Sequence, residues 1–234
     1  MDDEGLSVPH AEREKPYHHG DLRAALIQAG LAILAEEGVQ ALTLRAAARR
    51  AGVSHAAPYR HFADKEALLR AVCREVFIRL DDTLEKAATG ATNPFDELLR
   101  KGQAYIQFGL AHPENYRILF MLKQTHKAPP DGVADTDLPG SNAFLHLQDT
   151  IQRVIELGGP DAPKPDAYTM TCSVWTAVHG ITSLRIAMPD FPWPSIDEQL
   201  DLVVEPWRRT LCPAQKSKPK AAKRPARRPP ARRR

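Results

Sequence analysis

A short stretch at residues 54–61 carries side chains that could contact nucleic acid. Ser54 is of a type that caps helices, and it predicts a short third helix through about His61. The small side chains of Ala56 and Ala57 would let the first turn of this helix approach base edges in the major groove of DNA, and His55 could then reach a base or a phosphate. We interpret residues 54–60 as a candidate recognition helix that ends with a basic residue, Arg60.

The residues before this stretch have the spacing of the turn in a helix-turn-helix. Ala48 is followed four positions later by Gly52 and then by an apolar residue. The small residue lets two helices cross closely, the glycine takes a positive φ, and the apolar residue fixes the turn to the core. Thr43 is predicted to cap the helix before the turn, residues 44–50, and Gly52 to end it.

Helical periodicity extends along most of the chain. A stripe at Leu22, Leu26, Ala29 and Ile33 predicts a first helix that begins near a capping Asp21 and stops at Gly38. Asp64 can cap a longer fourth helix. No segment shows sustained period-2 alternation, so no strand is predicted and the fold class is all-α with about nine helices. The later ones are a helix that follows Asn93-Pro94 and closes before His112-Pro113, and helices at residues 116–122, 141–157, 166–188 and 195–212.

Three sequences around the turn sharpen the interpretation, together with the first helix: Leu42-Thr43-Leu44-Arg45, Tyr59-Arg60-His61-Phe62, and Asp64-Lys65-Glu66 with Leu68-Leu69 behind it. Over roughly residues 20–70 they resemble the TetR family of bacterial repressors. The resemblance implies that Tyr59 and His61 contact DNA phosphates, and that Lys65 does so with help from a helix dipole. It also makes Thr43 and Arg45 the start of the helix that crosses the DNA backbone, with further positive charge at Arg49 and Arg50.

The resemblance also implies a division of labour along the chain. Residues 1–15 are expected to be a disordered leader, residues 16–63 a helix-turn-helix DNA-binding domain, residues 64–212 a helical domain for effector binding and dimerisation, and residues 213–234 a disordered basic tail. The expected function is that of a repressor that binds a near-palindromic operator as a homodimer and responds to an unidentified small molecule.

Pro58 departs from the family pattern, which has an aliphatic residue at this position. If Ser54 caps the helix, the proline removes the N–H that would make the first intrahelical hydrogen bond. We therefore expect the recognition helix to be short or to start irregularly.

The sequence Trp175-Thr176-Ala177-Val178-His179-Gly180, with Tyr17-His18-His19-Gly20-Asp21-Leu22-Arg23 upstream, resembles the subgroup named after a Trp-His-Gly signature. Trp175 and His179 share a helix face, and Gly180 would permit close approach of another helix. This face could line an effector cavity formed by Tyr105, Phe108, Phe120, Met121, Phe144, Trp175 and His179. It could instead belong to a four-helix dimer interface that includes Gly180, Leu184, Leu200 and Val204, or consist of ordinary core residues.

Charge is distributed unevenly. Residues 213–234 hold ten of the 32 basic residues and no acidic one, which leaves 22 basic against 29 acidic residues elsewhere, a formal charge of −7. The five prolines of this segment disfavour a helix, and its cations could bind phosphates without reading sequence. The alternative function is therefore a sequence-independent DNA-compacting protein that acts through this tail.

Several other classes are disfavoured. Three cysteines far apart suggest neither a disulfide framework nor a zinc site, and the acidic N-terminus is unlike a signal peptide. No motif of a hydrolase, metalloprotease or nucleotide-binding enzyme is present in the sequence, so neither catalysis nor a cofactor or metal is expected. We expect a cytoplasmic, nucleoid-associated protein without a membrane segment.

Overall fold

The computed structural model describes residues 22–120 and 141–212, and these residues are helical without a strand. The all-α prediction is confirmed. Eight α-helices are present in the described residues: α1 Leu22–Glu37, α2 Leu44–Arg50, α3 Lys65–Ala88, α4 Pro94–Ala111, α5 Pro113–Phe120, α6 Ser141–Glu156, α7 Ala167–Ala187 and α8 Ile196–Leu211. Short 3₁₀ helices lie at Val39–Ala41 and Ala57–Arg60. The leader, the Asp21 cap, Met121 and the basic tail lie outside the described residues.

The third predicted helix is the main correction to the fold. Residues 54–61 do not form an α-helix capped by Ser54; the segment is a 3₁₀ helix over Ala57–Arg60 that Ala56 precedes without a side-chain cap. The sixth predicted helix, residues 116–122, also begins three residues earlier than expected, at Pro113. Proline is favourable at the first position of a helix because its missing N–H needs no partner there.

The chain divides into two compact units, residues 1–76 with 114–124, and residues 77–113 with 125–234. The first unit packs α1 tightly against the beginning of α3. A Cβ placed on Gly30 would stand 2.8 Å from Cγ2 of Val72 and 3.4 Å from Cδ1 of Leu42, so only glycine fits between these side chains. Cys73 also lies in this core, where its Sγ is 3.9 Å from the Ile118 carbonyl and burial raises the pKa of its thiol to about 11. The thiol is therefore protonated at neutral pH.

Helix α2 begins and ends as the sequence predicts. The Thr43 hydroxyl accepts the Ala46 N–H at 3.0 Å. At the other end Gly52 has a φ of 68°, and the N–H of Val53 donates to the Ala48 carbonyl at 3.0 Å. This bond and the one from Gly52 N–H to the Arg49 carbonyl define a Schellman motif, which fixes the direction in which the chain leaves α2.

Replacing Gly52 with alanine is expected to lower the free energy of unfolding by about 1 kcal/mol, since a Cβ is disfavoured in the left-handed region. Nothing lies within 4 Å of the added Cβ, so the effect is backbone strain and not a clash. Gly52→Asn is the matched control, and it should lose less because asparagine tolerates this conformation. Chemical denaturation of the three proteins measures the difference; an equal loss for alanine and asparagine would contradict the assignment.

The second unit is built around an apolar core between α4, α6, α7 and α8. Its fully or nearly buried members are Phe95, Leu98, Ile151, Val154, Ile155, Met170, Val174, Val204 and Leu211. Each of these helices after α6 begins with a side-chain cap: Asp166 accepts the Thr169 N–H at 2.8 Å, and Ser195 forms a capping box with Glu198. The predicted ends of α7 and α8 are confirmed within one residue because such caps are local signals.

A buried ionic network joins α4 to α6 and to the end of α3 within this unit. Lys101, 6% exposed, places its Nζ 2.8 Å from Glu85, 3.0 Å from Glu97 and 3.2 Å from the Thr150 hydroxyl. Glu97 also accepts two hydrogen bonds from the Arg153 guanidinium, at 2.7 and 2.9 Å. These bonds, with those from Lys101 and Thr150, lower the pKa of Glu97 from 4.5 to about 2.

Candidate nucleic-acid interface

The helix-turn-helix presents a continuous exposed stretch of the first unit to solvent. Exposed positions are Thr43, Arg45, Ser54, His55, Ala56, Tyr59, Arg60 and His61, while Ala57 and Lys65 are half-buried. Tyr59 is 55% exposed although it is aromatic and follows a buried proline. A large aromatic side chain left in solvent next to the exposed Arg60 and His61 is more typical of a binding surface than of a core.

Two contacts anchor this stretch to the core of its unit. Phe62 is 3% exposed, and its N–H donates to the Pro58 carbonyl at 2.9 Å. The Arg23 guanidinium lies 5.3 Å from the centre of the Phe62 ring. The position of the exposed residues 59–61 is therefore set by buried or stacked side chains on both sides.

Charge on this surface is smaller than the sequence suggests. Arg50 forms an ion pair with Glu36 and lies 3.7 Å from Glu37, and the hydrogen bond to Glu36 raises the pKa of Arg50. Its charge is largely offset by these two carboxylates, so Arg50 adds less positive charge to this surface than the sequence predicts. Arg49 is exposed and no ion pair or hydrogen bond of its side chain is seen among the described residues.

Lys65 occupies the first position of α3, as predicted. Asp64 precedes it and accepts the Ala67 N–H at 2.7 Å through its side chain. The first-turn N–H groups of a 24-residue helix carry partial positive charge, so a phosphate beside Lys65 would meet an ammonium and a helix dipole together.

The predicted effector residues are only partly brought together. In the second unit Tyr105 Oη lies 3.3 Å from Nδ1 of His179, Trp175 stacks edge-on to His179 at 6.4 Å between ring centres, and Phe144 contacts Trp175 at 5.8 Å. Burial lowers the pKa of His179, so the imidazole is neutral at pH 7. We call Tyr105, Phe144, Trp175 and His179 the aromatic cluster.

Two further candidates, Phe108 and Phe120, have other ring partners. Phe108 is buried and packs edge-on against His112 of the same unit, at 5.3 Å between ring centres. Phe120 belongs to the first unit, where its ring is 5.2 Å from that of Tyr116, and Met121 lies outside the described residues. Tyr168 was not predicted, yet its ring lies 5.8 Å from that of Phe144.

The predicted dimer residues include two on the surface of the subunit and two in its core. A Cβ on Gly180 would meet nothing within 4 Å, and Leu184 is 47% exposed. Leu200 and Val204, by contrast, are 3% and 2% exposed in the core of the subunit, where Leu200 packs beside Gly102, so assigning them to a dimer surface was wrong. On α8 the large apolar side chain that faces solvent is Leu202, at 76% exposure.

One group of residues has the chemistry of a cation site. Ligand atoms of Asp81, Glu85 and His146 lie within 4.8 Å of one another in the second unit. His146 Nδ1 is already 3.0 Å from Asp81, and Glu85 accepts a hydrogen bond from Lys101. The three side chains are thus satisfied by protein partners, and we assign them a structural role.

None of the helices in the described part of the chain is both long enough and apolar enough to span a membrane.

The fold and the exposed stretch define a helix-turn-helix protein with a separate helical unit, and the comparisons agree. Residues 26–72 match the family model of bacterial regulatory proteins, tetR family, and residues 98–205 match that of the tetracyclin repressor-like C-terminal domain. The chain belongs to the TetR family of bacterial regulatory proteins.

Two solved structures and one curated protein illustrate what the chain is similar to. A solved structure of a protein of unknown function from Rhodococcus sp. RHA1 is 31% identical, with a TM-score of 0.69 over 84% of this chain and 98% of that one. A TetR family transcription regulator from Marinobacter aquaeolei VT8, 18% identical, has the same fold with a TM-score of 0.58 over 79% of this chain and 94% of its own. The HTH-type transcriptional regulator BetI of Rhizobium meliloti (strain 1021) is 38% identical over 72 residues, which are 31% of this chain and 36% of BetI. The chain thus spans about a third of the length of that curated relative.

Proposed function

We propose that this protein is a transcriptional regulator that binds a near-palindromic DNA site as a homodimer and loses affinity for it when a small molecule binds the second unit. The observation that carries the proposal is the exposed stretch of residues 54–61, held by Phe62 at one end and by the Schellman turn of Gly52 at the other. Exposed Tyr59, Arg60 and His61 supply donors for phosphates, and small residues before them admit the backbone to the groove. Binding to DNA would place the protein at the nucleoid.

A dimer is supported by the exposed surface of α7 and α8. Gly180 leaves open space beside α7. Leu184, four residues further along α7, and Leu202, on α8, both expose large apolar side chains. Isologous contact of such a surface makes a symmetric dimer, which matches the two-fold symmetry of a palindrome. Half-sites would then be about 34–36 Å apart, one turn of DNA.

Introducing a charge on this surface is expected to separate the subunits. Leu184→Glu buries a carboxylate without a partner in the proposed interface. Folding of the single subunit should be unaffected, because Leu184 is 47% exposed in it. Leu145→Glu on α6 is the control, since Leu145 is equally exposed but lies off the proposed surface. Sedimentation velocity should report a monomer for the first variant and a dimer for the second. Dimers in both would move the interface elsewhere.

The aromatic cluster is the proposed effector site. Its neutral His179 and the Tyr105 hydroxyl offer one hydrogen-bonding pair among apolar rings, an arrangement typical of sites for small organic ligands. A ligand lowers DNA affinity only if it prefers the state of the dimer that does not fit DNA. We also propose that the chain is a member of the Trp-His-Gly subgroup, a proposal supported by the contact between Trp175 and His179 and by the adjacent Gly180.

Selection of bound sites from a random duplex library, at about 150 mM salt, tests the proposal. The full chain and a 1–212 truncation are run side by side. Enrichment of one near-palindrome by both supports a sequence-reading regulator, and the selected site then serves to screen for the effector by loss of binding. Salt-sensitive binding by the full chain alone, without enrichment, would favour the second candidate, a DNA-compacting protein whose function resides in the ten basic residues of 213–234.

A further inference from the structure

Pro58 determines the backbone path of residues 54–60. In an α-helix the N–H of residue 58 would donate to the Ser54 carbonyl, but proline has no N–H. The Ser54 carbonyl instead accepts the N–H of Ala57 at 3.0 Å, one residue earlier, which closes a 3₁₀ turn. A second bond of this type joins the His61 N–H to the Pro58 carbonyl at 2.9 Å.

Packing fixes this path on the side of the core. Pro58 is the buried residue of its 3₁₀ helix, and the Phe62 N–H donates to the same Pro58 carbonyl at 2.9 Å. Proline therefore acts twice, through the hydrogen bond that it cannot make and through the ring that it buries.

The path changes which side chains share a face. A 3₁₀ helix turns about 120° per residue, compared with about 100° in an α-helix, so residues three apart are aligned in place of residues four apart. Exposed Ala56 and Tyr59 are three apart, whereas exposed His55 and Tyr59 are four apart. His55 and Ala56 precede the 3₁₀ helix and lie in the turn that the bond between Ser54 and Ala57 closes. Continued over this turn, the 3₁₀ rotation aligns the small Ala56 with Tyr59 and turns His55 away from that face by roughly a third of a turn.

We infer that Pro58 is a specificity-determining residue, which selects the side chains of residues 54–60 that meet the bases. It is a positioning residue, because its own side chain is buried in the core. The inference rests on the DNA-binding function proposed above. It adds that the backbone path set by Pro58 determines which DNA sequence the protein prefers.

Replacing Pro58 with leucine tests this role. The variant restores an N–H at position 58 and keeps an apolar side chain for the core, so the Ser54 carbonyl can accept an α-helical bond and His55 can rotate onto the face of Tyr59. Library selection should then yield a site that differs from the wild-type site in each half. Affinity for the wild-type site should fall about tenfold or more, as expected when a base contact is misplaced, while affinity for random duplex stays within about twofold because the phosphate contacts remain.

Pro94→Leu is the matched control. Pro94 occupies the first position of α4 behind the Asn93 cap, where a missing N–H costs no helical bond. This variant should select the wild-type site with unchanged affinity.

Each outcome separates the inference from the function on which it rests. If the wild-type protein enriches no sequence, the proposed function fails and the inference falls with it. If Pro58→Leu enriches the wild-type site with the wild-type ratio of specific to random affinity, Pro58 does not set specificity although the protein reads DNA. Should the leucine variant fail to fold in a thermal melt, Pro58→Ala restores the N–H without added bulk and is expected to shift preference in the same way. An NMR contact between Hα of His55 and the amide of Tyr59 in the wild-type DNA complex, typical of an α-helix, would overturn the inference without any variant.

Discussion

Tyr59→Ala is expected to weaken binding to every duplex, whatever its sequence, because a phosphate contact carries no sequence information. The side chain is 55% exposed, so its removal leaves the core intact and thermal stability within error of wild type. Loss of one hydrogen bond of about 1 kcal/mol in each of two subunits corresponds to about 30-fold weaker binding. Fluorescence anisotropy should give the same ratio of variant to wild-type dissociation constant for the selected site and for random duplex.

Lys65→Ala provides the second half of this prediction. Its affinity should also fall for all sequences, but here the slope of log affinity against log salt should fall by about 1 per subunit, since a cation no longer displaces a counterion. Tyr59→Ala should leave that slope unchanged. Ala56→Ser is the contrasting variant, with an altered preference among sequences, because the exposed Ala56 shares the face of Tyr59. Unchanged binding in all three variants would contradict the docking surface.

The largest expected loss of stability follows from breaking the buried ionic network. Glu97→Ala removes one carboxylate from the buried Lys101 ammonium, which keeps Glu85, and one from Arg153, which keeps Asp149. Removing one partner of a buried pair costs up to about 3 kcal/mol, because the remaining charge has lost part of its compensation. Urea unfolding at fixed protein concentration measures the change, and Glu97→Gln, which keeps an acceptor oxygen, should lose less. Glu156→Ala on the exposed face of α6 is the control, with a loss of no more than about 0.5 kcal/mol.

The same network predicts a pH dependence. The pKa of Glu97 is about 2 in the folded protein against an ordinary 4.5, mainly because Arg153 donates to the carboxylate. A lowered pKa stabilises the folded state fully above pH 4.5, and this contribution is lost as the pH falls from 4.5 towards 2. Unfolding free energies between these limits should therefore fall less steeply with acid in Glu97→Gln than in the wild type. Parallel curves would show that another group dominates the acid sensitivity.

Elements that depend on local signals could be predicted from the sequence. Thr43, Gly52, Asp64, Asp166 and Ser195 mark the ends of their helices because capping involves only residues within four positions. Pro58 was recognised as a departure, but sequence alone could not decide how the freed Ser54 carbonyl is satisfied.

Features that depend on distant parts of the chain were missed. Lys101 lies on the apolar stripe between Leu98 and Tyr105 of α4, which was a signal of burial, yet its partners Glu85 and Thr150 come from other helices. Leu202 stands off the stripe of α8 that buries Leu200 and Val204, and weighing this periodicity would have assigned the exposed and buried residues correctly.

Helix α3 is shared by both units, since the division falls between Val76 and Phe77 inside Lys65–Ala88. Its first half contributes Leu68 and Val72 to the core beside Gly30, and its second half contributes Asp81 and Glu85 to the polar contacts of the second unit. Exchange of the second unit for that of another protein, by recombination or by engineering, must therefore join two sequences within a continuous helix. One inserted residue would rotate everything beyond the joint by about 100°, so viable chimaeras must preserve helical register. A joint before Lys65 would also remove Leu68 and Val72 from the DNA-binding unit's own core.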